Sequence, residues 1–341
     1  MKLKLAYILL SAAAVVFCAG VPAYSVPFSR THGAAVKTQN GENSTLVSVI
    51  FGQPKEAEAQ KASRVVAARP FKAPKSAVSI VPFRSEAMNK DVLATVILPD
   101  AYYRQPNRRF PVLYLLHGQD GSHTAWPSIR PDIQRLASMY SMIIVCPDAK
   151  NSWYWDSPVD PSLRYETFIS KELVGQVDAK YRTIADRKAR AIAGLSMGGH
   201  GALWNAFRHQ DIFGACGSTS GGVEIRQFPK NKNMIASLGE YEKNKGVWDS
   251  HTIINQVELL KPNNLAIIID CGTEDFLYKA NESLHKKLLE HKIPHDYTTR
   301  PGKHNWPYWR NSLAYQLLFF DSFFRDPEFL WTRLGAPKKQ K

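Results

Sequence analysis

The sequence predicts one doubly wound α/β domain over residues 77–327, a mostly parallel sheet with helices on both faces. Three observations carry this. Continuous apolar runs of about five residues, as strands buried on both sides require, alternate with stretches of helical spacing. A glycine-rich turn, Gly194-Leu195-Ser196-Met197-Gly198-Gly199, stands between one such run and a helix. A loop bearing a histidine, Pro301-Gly302-Lys303-His304-Asn305-Trp306, separates the last strand from a long amphipathic helix.

Taken in order, residues 78–83 and 91–98 alternate as paired strands around a turn at 85–90. Residues 111–116, Pro-Val-Leu-Tyr-Leu-Leu, are a buried strand. Helical spacing over 129–138 precedes a second buried strand at 142–146. A helix over 165–181 leads to a third strand at 189–193, and the glycine turn opens a helix over 199–209. A fourth strand is expected at 265–269, a helix at 282–291, an edge-like strand at 295–299 and the final helix at 306–324.

The chain has 341 residues, 44% hydrophobic and 22% charged, enough apolar content for a sizeable core. Its 44 Lys and Arg outnumber 30 Asp and Glu, giving a formal net charge of +14. Eight of the cations, from Arg30 to Lys75, precede the domain and face only Glu42, Glu56 and Glu58. A basic leader over residues 26–76 thus carries +5 of the excess, which suits a solvated tail or an anionic envelope surface better than nucleic acid. A further short basic tail occupies residues 328–341. Residues 1–25 read as an export signal: Lys2 and Lys4, an apolar run broken only by Ser11, then Ala23-Tyr24-Ser25 for cleavage. The run is short for a membrane anchor, and Phe17 before Cys18 argues against a lipoprotein. The expected location is secreted or periplasmic. Cys146, Cys216 and Cys271 each lie in or beside an apolar segment and read as buried thiols, with one pair plus a leftover as the alternative. No Cys/His spacing resembles a zinc site, so no metal is expected.

The turn at Ser196 contains G-x-S-x-G in the context that gives it meaning, after a buried strand and before a helix. Such a turn is tight enough to demand small residues two before and two after the serine, here Gly194 and Gly198. It lifts the hydroxyl above the sheet at a helix N-terminus, where developing negative charge is stabilised. A serine needs a base, and with this elbow the acid and then the histidine follow it along the chain. His304, in the loop after the last strand, fits best. His209, His285 and His291 fall on helices, His251 in a polar stretch, and His295 opens a strand. Asp270, Glu274 and Asp275 all follow the fourth strand, and Asp275, beyond a Gly-Thr turn, is favoured. For the oxyanion, one N–H should come from Met197. The other should come from the loop His117-Gly118-Gln119-Asp120-Gly121, from Gln119 ahead of Gly118. Trp153, Trp155 and Trp306 are candidate substrate contacts; for Trp153 and Trp155, packing of their own loop is the competing reading.

With these residues in view, the chain resembles the esterase D-like branch of α/β hydrolases, from about residue 78 to 324. The resemblance rests on Leu113-Tyr114-Leu115-Leu116-His117-Gly118, Asn151-Ser152-Trp153-Tyr154, Gly194 to Ala202, Gly272-Thr273-Glu274-Asp275-Phe276-Leu277 and Gly302-Lys303-His304-Asn305-Trp306. That branch includes S-formylglutathione hydrolases, tributyrin and feruloyl esterases, and secreted mycolyltransferases. The resemblance implies an α/β-hydrolase fold, a triad at Ser196, Asp275 and His304, and hydrolysis of small or carbohydrate esters without metal or cofactor. Acyl transfer to a sugar or lipid shares the triad and is the alternative, as is an envelope-binding protein that kept the fold.

Overall fold

The computed structural model describes residues 76–326. The export signal, the leader before residue 76 and the tail from residue 328 lie outside the described residues. Eight strands are present: β1 (Val78–Ser85), β2 (Lys90–Ile97), β3 (Val112–Leu116), β4 (Ile143–Pro147), β5 (Arg190–Leu195), β6 (Ala215–Thr219), β7 (Ala266–Gly272) and β8 (Asp296–Arg300). They form one sheet in the order β1-β2-β4-β3-β5-β6-β7-β8. β1 and β2 pair antiparallel, as do β2 and β4, and every pairing beyond β4 is parallel.

Every residue of β3 to β7 is buried, because helices cover both faces of the sheet. One face packs Tyr114, Ile192, Cys216 and Ile267 against Trp204 and Phe207 of the helix Met197–Arg208. The other packs Leu113, Ala191 and Ile268 against Leu313, Leu317 and Phe320 of the final helix, Trp306–Arg325. The order reverses around β3, so the carboxyl ends of β3 and β5 open a crevice of the kind in which such sheets bind ligands.

Three differences from the expected elements have local causes. The helix expected over 129–138 is two pieces, Ala125–Ile129 and Ile133–Met139. Pro131 lacks an N–H and disfavours helical backbone at Arg130, which leaves the helical region at φ −124°, ψ 79°. β6, Ala-Cys-Gly-Ser-Thr, is too poor in large apolar residues to read as a buried strand. Its Gly217 is pressed by the final helix: a Cβ there would lie 2.4 Å from Gln316 Oε1 and 2.9 Å from Phe320. Short helices at Lys232–Leu238, Lys245–His251 and Ile253–Gln256 fill a segment with no clear period.

Cys146, Cys216 and Cys271 are free and buried, on β4, β6 and β7. Cys216 is in register with Ile267, four residues short of Cys271, which keeps these two thiols beyond disulfide reach. Burial pushes all three thiols well above the usual range.

The helical run from Tyr165 carries a buried carboxylate, Glu166. Burial opposes its ionisation, but donors from His209, Arg208 and Trp204, all within 2.9 Å, outweigh that and bring it down from 4.5 to about 2. A carboxyl with a depressed folded value stabilises the fold above its unfolded value, and the benefit is lost as pH falls from 4.5 towards 2. Glu166→Gln is therefore expected to cost about 3 kcal/mol at pH 7. It should also flatten the acid loss of stability over that window. Urea midpoints at pH 7 and pH 3 check both; equal midpoints for the two proteins at pH 7 would refute the assignment.

Candidate active site

β5 ends at Leu195, and Ser196 turns the chain into the helix Met197–Arg208 with φ +53°, ψ −117°. This is a costly region for a residue with a side chain, and the surroundings over-determine it. The Ser196 N–H donates to Thr219 O at 2.9 Å, while Ser196 O accepts from His200 N at 3.0 Å and Gly222 N at 3.3 Å. No side chain fits beside it. A Cβ at Gly194 would lie 2.3 Å from Gly198 O, and one at Gly198 would lie 2.5 Å from the carbonyls of both Leu116 and His117.

His304 and Asp275 sit on loops that are zipped together. Thr273 N–H donates to Arg300 O and Glu274 N–H to Gly302 O, both at 2.9 Å, so the loop after β7 follows the loop after β8. Below them the fully buried Asp270 binds Arg300 and Tyr308. Asn305 caps the final helix by accepting from Tyr308 N, which fixes the backbone next to His304. His304 Nδ1 lies 2.9 and 3.1 Å from the two Asp275 oxygens, and His304 Nε2 lies 2.9 Å from Ser196 Oγ. A carboxylate only accepts, so Nδ1 carries the proton and Nε2 is free to accept the serine hydroxyl. Burial works against ionisation of Asp275, yet the bonds from His304 and the Leu277 N–H prevail and hold its carboxyl below the usual range.

Of the other two carboxylates considered, Asp270 is committed to Arg300 and Tyr308, and Glu274 is exposed beside Lys303 at 3.7 Å. The other histidines that follow Ser196 as candidates are occupied elsewhere. His209 binds Glu166, His285 and His295 bind each other, and His291 contacts Lys287 O. His251 packs on Trp204.

Among the described residues, neither the Met197 N–H nor the Gln119 N–H has a protein acceptor. The first belongs to the opening turn of a helix, where such groups are free by geometry. The second lies in a loop braced from behind. His117 accepts from Ala149 N at Nε2 and so donates from Nδ1 to Gly118 O at 2.7 Å. Asn151 accepts from Asp120 N at 2.7 Å and donates back to Asp120 Oδ1 at 2.8 Å. Ser196, His304 and Gln119 border a cavity of about 370 Å³ that Phe276, Trp306 and Trp309 also line. The Phe276 ring stands 4.6 Å from the imidazole of His304, and Trp309 meets that imidazole edge-on at 4.9 Å. An alcohol, an imidazole and a carboxylate in line beside free N–H donors are the parts needed for acyl transfer.

The Esterase family model matches residues 85–320, well over half the chain. The chain belongs to the Esterase family. Among its relatives is an acetyl esterase of Caldicellulosiruptor saccharolyticus, 26% identical over 259 residues, covering 70% of this chain and 96% of that protein. An esterase of Mycobacterium tuberculosis is 34% identical over 148 residues, 42% of this chain and 32% of that longer protein. Among solved structures, a ferulic acid esterase superposes with a TM-score of 0.63 at 31% identity, over 72% of this chain and 98% of its own. An S-formylglutathione hydrolase from Agrobacterium tumefaciens shares the fold, with a TM-score of 0.61 at 18% identity over 72% of this chain and 95% of its own. This member of the Esterase family is a carboxylic-ester hydrolase on the α/β-hydrolase fold.

Two expected substrate contacts need correction. Trp153 and Trp155 do not line the cavity at Ser196 and are buried at 5% and 0% exposure. Their rings stack on each other at 5.6 Å, and both meet His200 of the elbow helix edge-on. Trp155 Nε1 donates to His200 Nε2, so His200 Nδ1 donates to Gly222 O. Burial pushes this imidazole down to about 3, which keeps it neutral. The stretch Asn151 to Trp155 thus supports the Gln119 loop and the elbow from inside, with Tyr154 OH donating to His117 O at 3.0 Å. Trp306, by contrast, lines the cavity and is 52% exposed. Phe276, 64% exposed, lines the same cavity and was not among the expected contacts; an aromatic placed next to the acid was the available signal.

Proposed function

We propose that this esterase is exported and hydrolyses short-acyl esters, acetyl or feruloyl groups on carbohydrate among them, through a covalent acyl-enzyme on Ser196. The observation that carries the reading is the line from Asp275 through His304 to Ser196, with 2.9 Å at each step, ending at the cavity floor. In the first half-reaction His304 Nε2 takes the Ser196 proton as Oγ bonds to the ester carbonyl carbon. The N–H groups of Met197 and Gln119 receive the oxyanion. When the tetrahedral adduct collapses, the bond to the leaving alcohol breaks and His304 returns the proton to that alcohol. Water then repeats the sequence against the acyl-serine and releases the acid. Asp275 keeps the proton on Nδ1 and stabilises the imidazolium.

The substrate class is supported by the cavity, which at about 370 Å³ suits a small acyl group with part of its alcohol, and by the aromatic walls Phe276 and Trp306. The relatives named for acetyl and ferulic esters favour the same choice. Export rests on the N-terminal charge, apolar run and small residues; among the described residues, no helix is long and apolar enough to cross a membrane.

A panel of p-nitrophenyl acetate, butyrate and octanoate, methyl ferulate and acetylated xylan tests the reading, with fluorophosphonate labelling of the serine. Rates should peak at the short or feruloyl esters, with the label on Ser196. Trp306→Ala should raise KM for methyl ferulate about threefold to tenfold and barely change p-nitrophenyl acetate. No turnover of any ester together with no label at Ser196 would end the proposal. Acyl products on an added sugar acceptor, at the expense of free acid, would replace hydrolysis by transfer.

A further inference from the structure

A second cavity, of about 520 Å³, lies at the far end of the elbow helix from Ser196. Twelve residues separate Ser196 from Arg208 in its wall, about 18 Å of helix, so an ester reacting at Ser196 does not reach it. Its chemistry follows from asking which polar groups are already used.

Both carboxylates in the wall are spent. Glu166 accepts from Trp204 Nε1 at 2.8 Å on one oxygen, and from Arg208 Nε at 2.9 Å and His209 Nε2 at 2.8 Å on the other. Asp156 accepts from the Thr167 N–H at 2.9 Å and the Thr167 hydroxyl at 2.5 Å, with Arg164 Nη2 at 3.2 Å. The aromatic surface is spent as well. Trp204 is stacked on His251 at 4.9 Å and carries the Arg208 guanidinium at 4.5 Å. A cation would find no open carboxylate here, and a neutral sugar no open ring.

Donors are in surplus. Lys171 has no partner among the described residues. Arg164 pairs with Asp156 through Nη2 at 3.2 Å, and its side chain is 42% exposed. Arg208, beyond its bond to Glu166 and its place on the Trp204 ring, makes among the described residues a 3.5 Å contact from Nη1 to Gln256. Three cations line a cavity that holds two carboxylates; Arg164 and Arg208 each keep N–H groups beyond the pairing with Asp156 and Glu166, and Lys171 adds an unmatched charge. We propose that this cavity binds a small soluble oxyanion, a carboxylate or a phosphate, held by Lys171, Arg164 and Arg208. Charge-assisted hydrogen bonds of this kind are the strong ones, and the guanidinium forks match either ligand.

Calorimetric titration with inorganic phosphate and, separately, with glucuronate, at constant ionic strength set by sodium chloride, tests the site. Saturable one-to-one binding of at least one probe is expected in the wild type and in Ser196→Ala, and the tighter probe tells whether phosphate or carboxylate is preferred. Lys171→Ala with Arg164→Ala should weaken it by about tenfold or more. Both residues have exposed or half-exposed side chains, so the double variant should fold; it should also keep wild-type turnover of p-nitrophenyl acetate. No saturable binding of either probe, binding unchanged in the double variant, or binding lost in Ser196→Ala would each overturn the proposal. The last result would place the anion in the reacting cleft.

Discussion

Ser196→Ala is expected to lower ester turnover by about four to six powers of ten while leaving the fold intact. The variant loses one oxygen, whose only partner among the described residues is His304 Nε2 at 2.9 Å. The turn is held by main-chain bonds to Thr219, His200 and Gly222, none of which involves the hydroxyl. Unfolding midpoints should therefore move by no more than about 1 kcal/mol. Intact mass after rapid mixing with p-nitrophenyl acetate should show an acyl adduct on the wild type and none on the variant. Ordinary turnover by a pure, folded variant would remove the mechanism.

Asp275→Asn should lower kcat by about four powers of ten with little change in KM. One Asp275 oxygen accepts from both the Leu277 N–H and His304, and the other lies 2.9 Å from His304 Nδ1. An amide can keep its oxygen on Leu277 only by turning its NH₂ towards Nδ1. That group donates, so the imidazole proton shifts to Nε2, and the nitrogen facing Ser196 can no longer accept. Steady-state kinetics with the short-acyl substrate reads the split. A loss below tenfold would mean that another group orients His304, and no other carboxylate is poised for it. Asp270 is tied to Arg300 and Tyr308, and Glu274 points away beside Lys303.

Much of this architecture was legible because local and global signals agreed. Four all-apolar or near-apolar strands, a proline-free elbow helix and a strand-turn-helix around Ser196 each have a short-range signature, and the doubly wound sheet follows from their alternation. The positions of Asp275 and His304 followed from chain order and from the family resemblance; the bonds between their loops are long-range and left no mark on the sequence. The fate of Trp153 and Trp155 was illegible for the same reason. Their burial is decided by His200, more than forty residues away, and by Gly222, where a Cβ would sit 2.8 Å from the Trp153 ring. β6 was hidden by its small residues, which only the crowding of the final helix explains. The cluster around Glu166 joins one helical run to the end of another, and nothing in either segment announces it.

The three thiols on β4, β6 and β7 make the protein its own sensor of opening. Sealed in the sheet and held in the unreactive protonated state, they should ignore an alkylating reagent until the strands separate. The rate at which iodoacetamide adds to Cys146, Cys216 and Cys271 would then report how often the whole barrier of helices lifts.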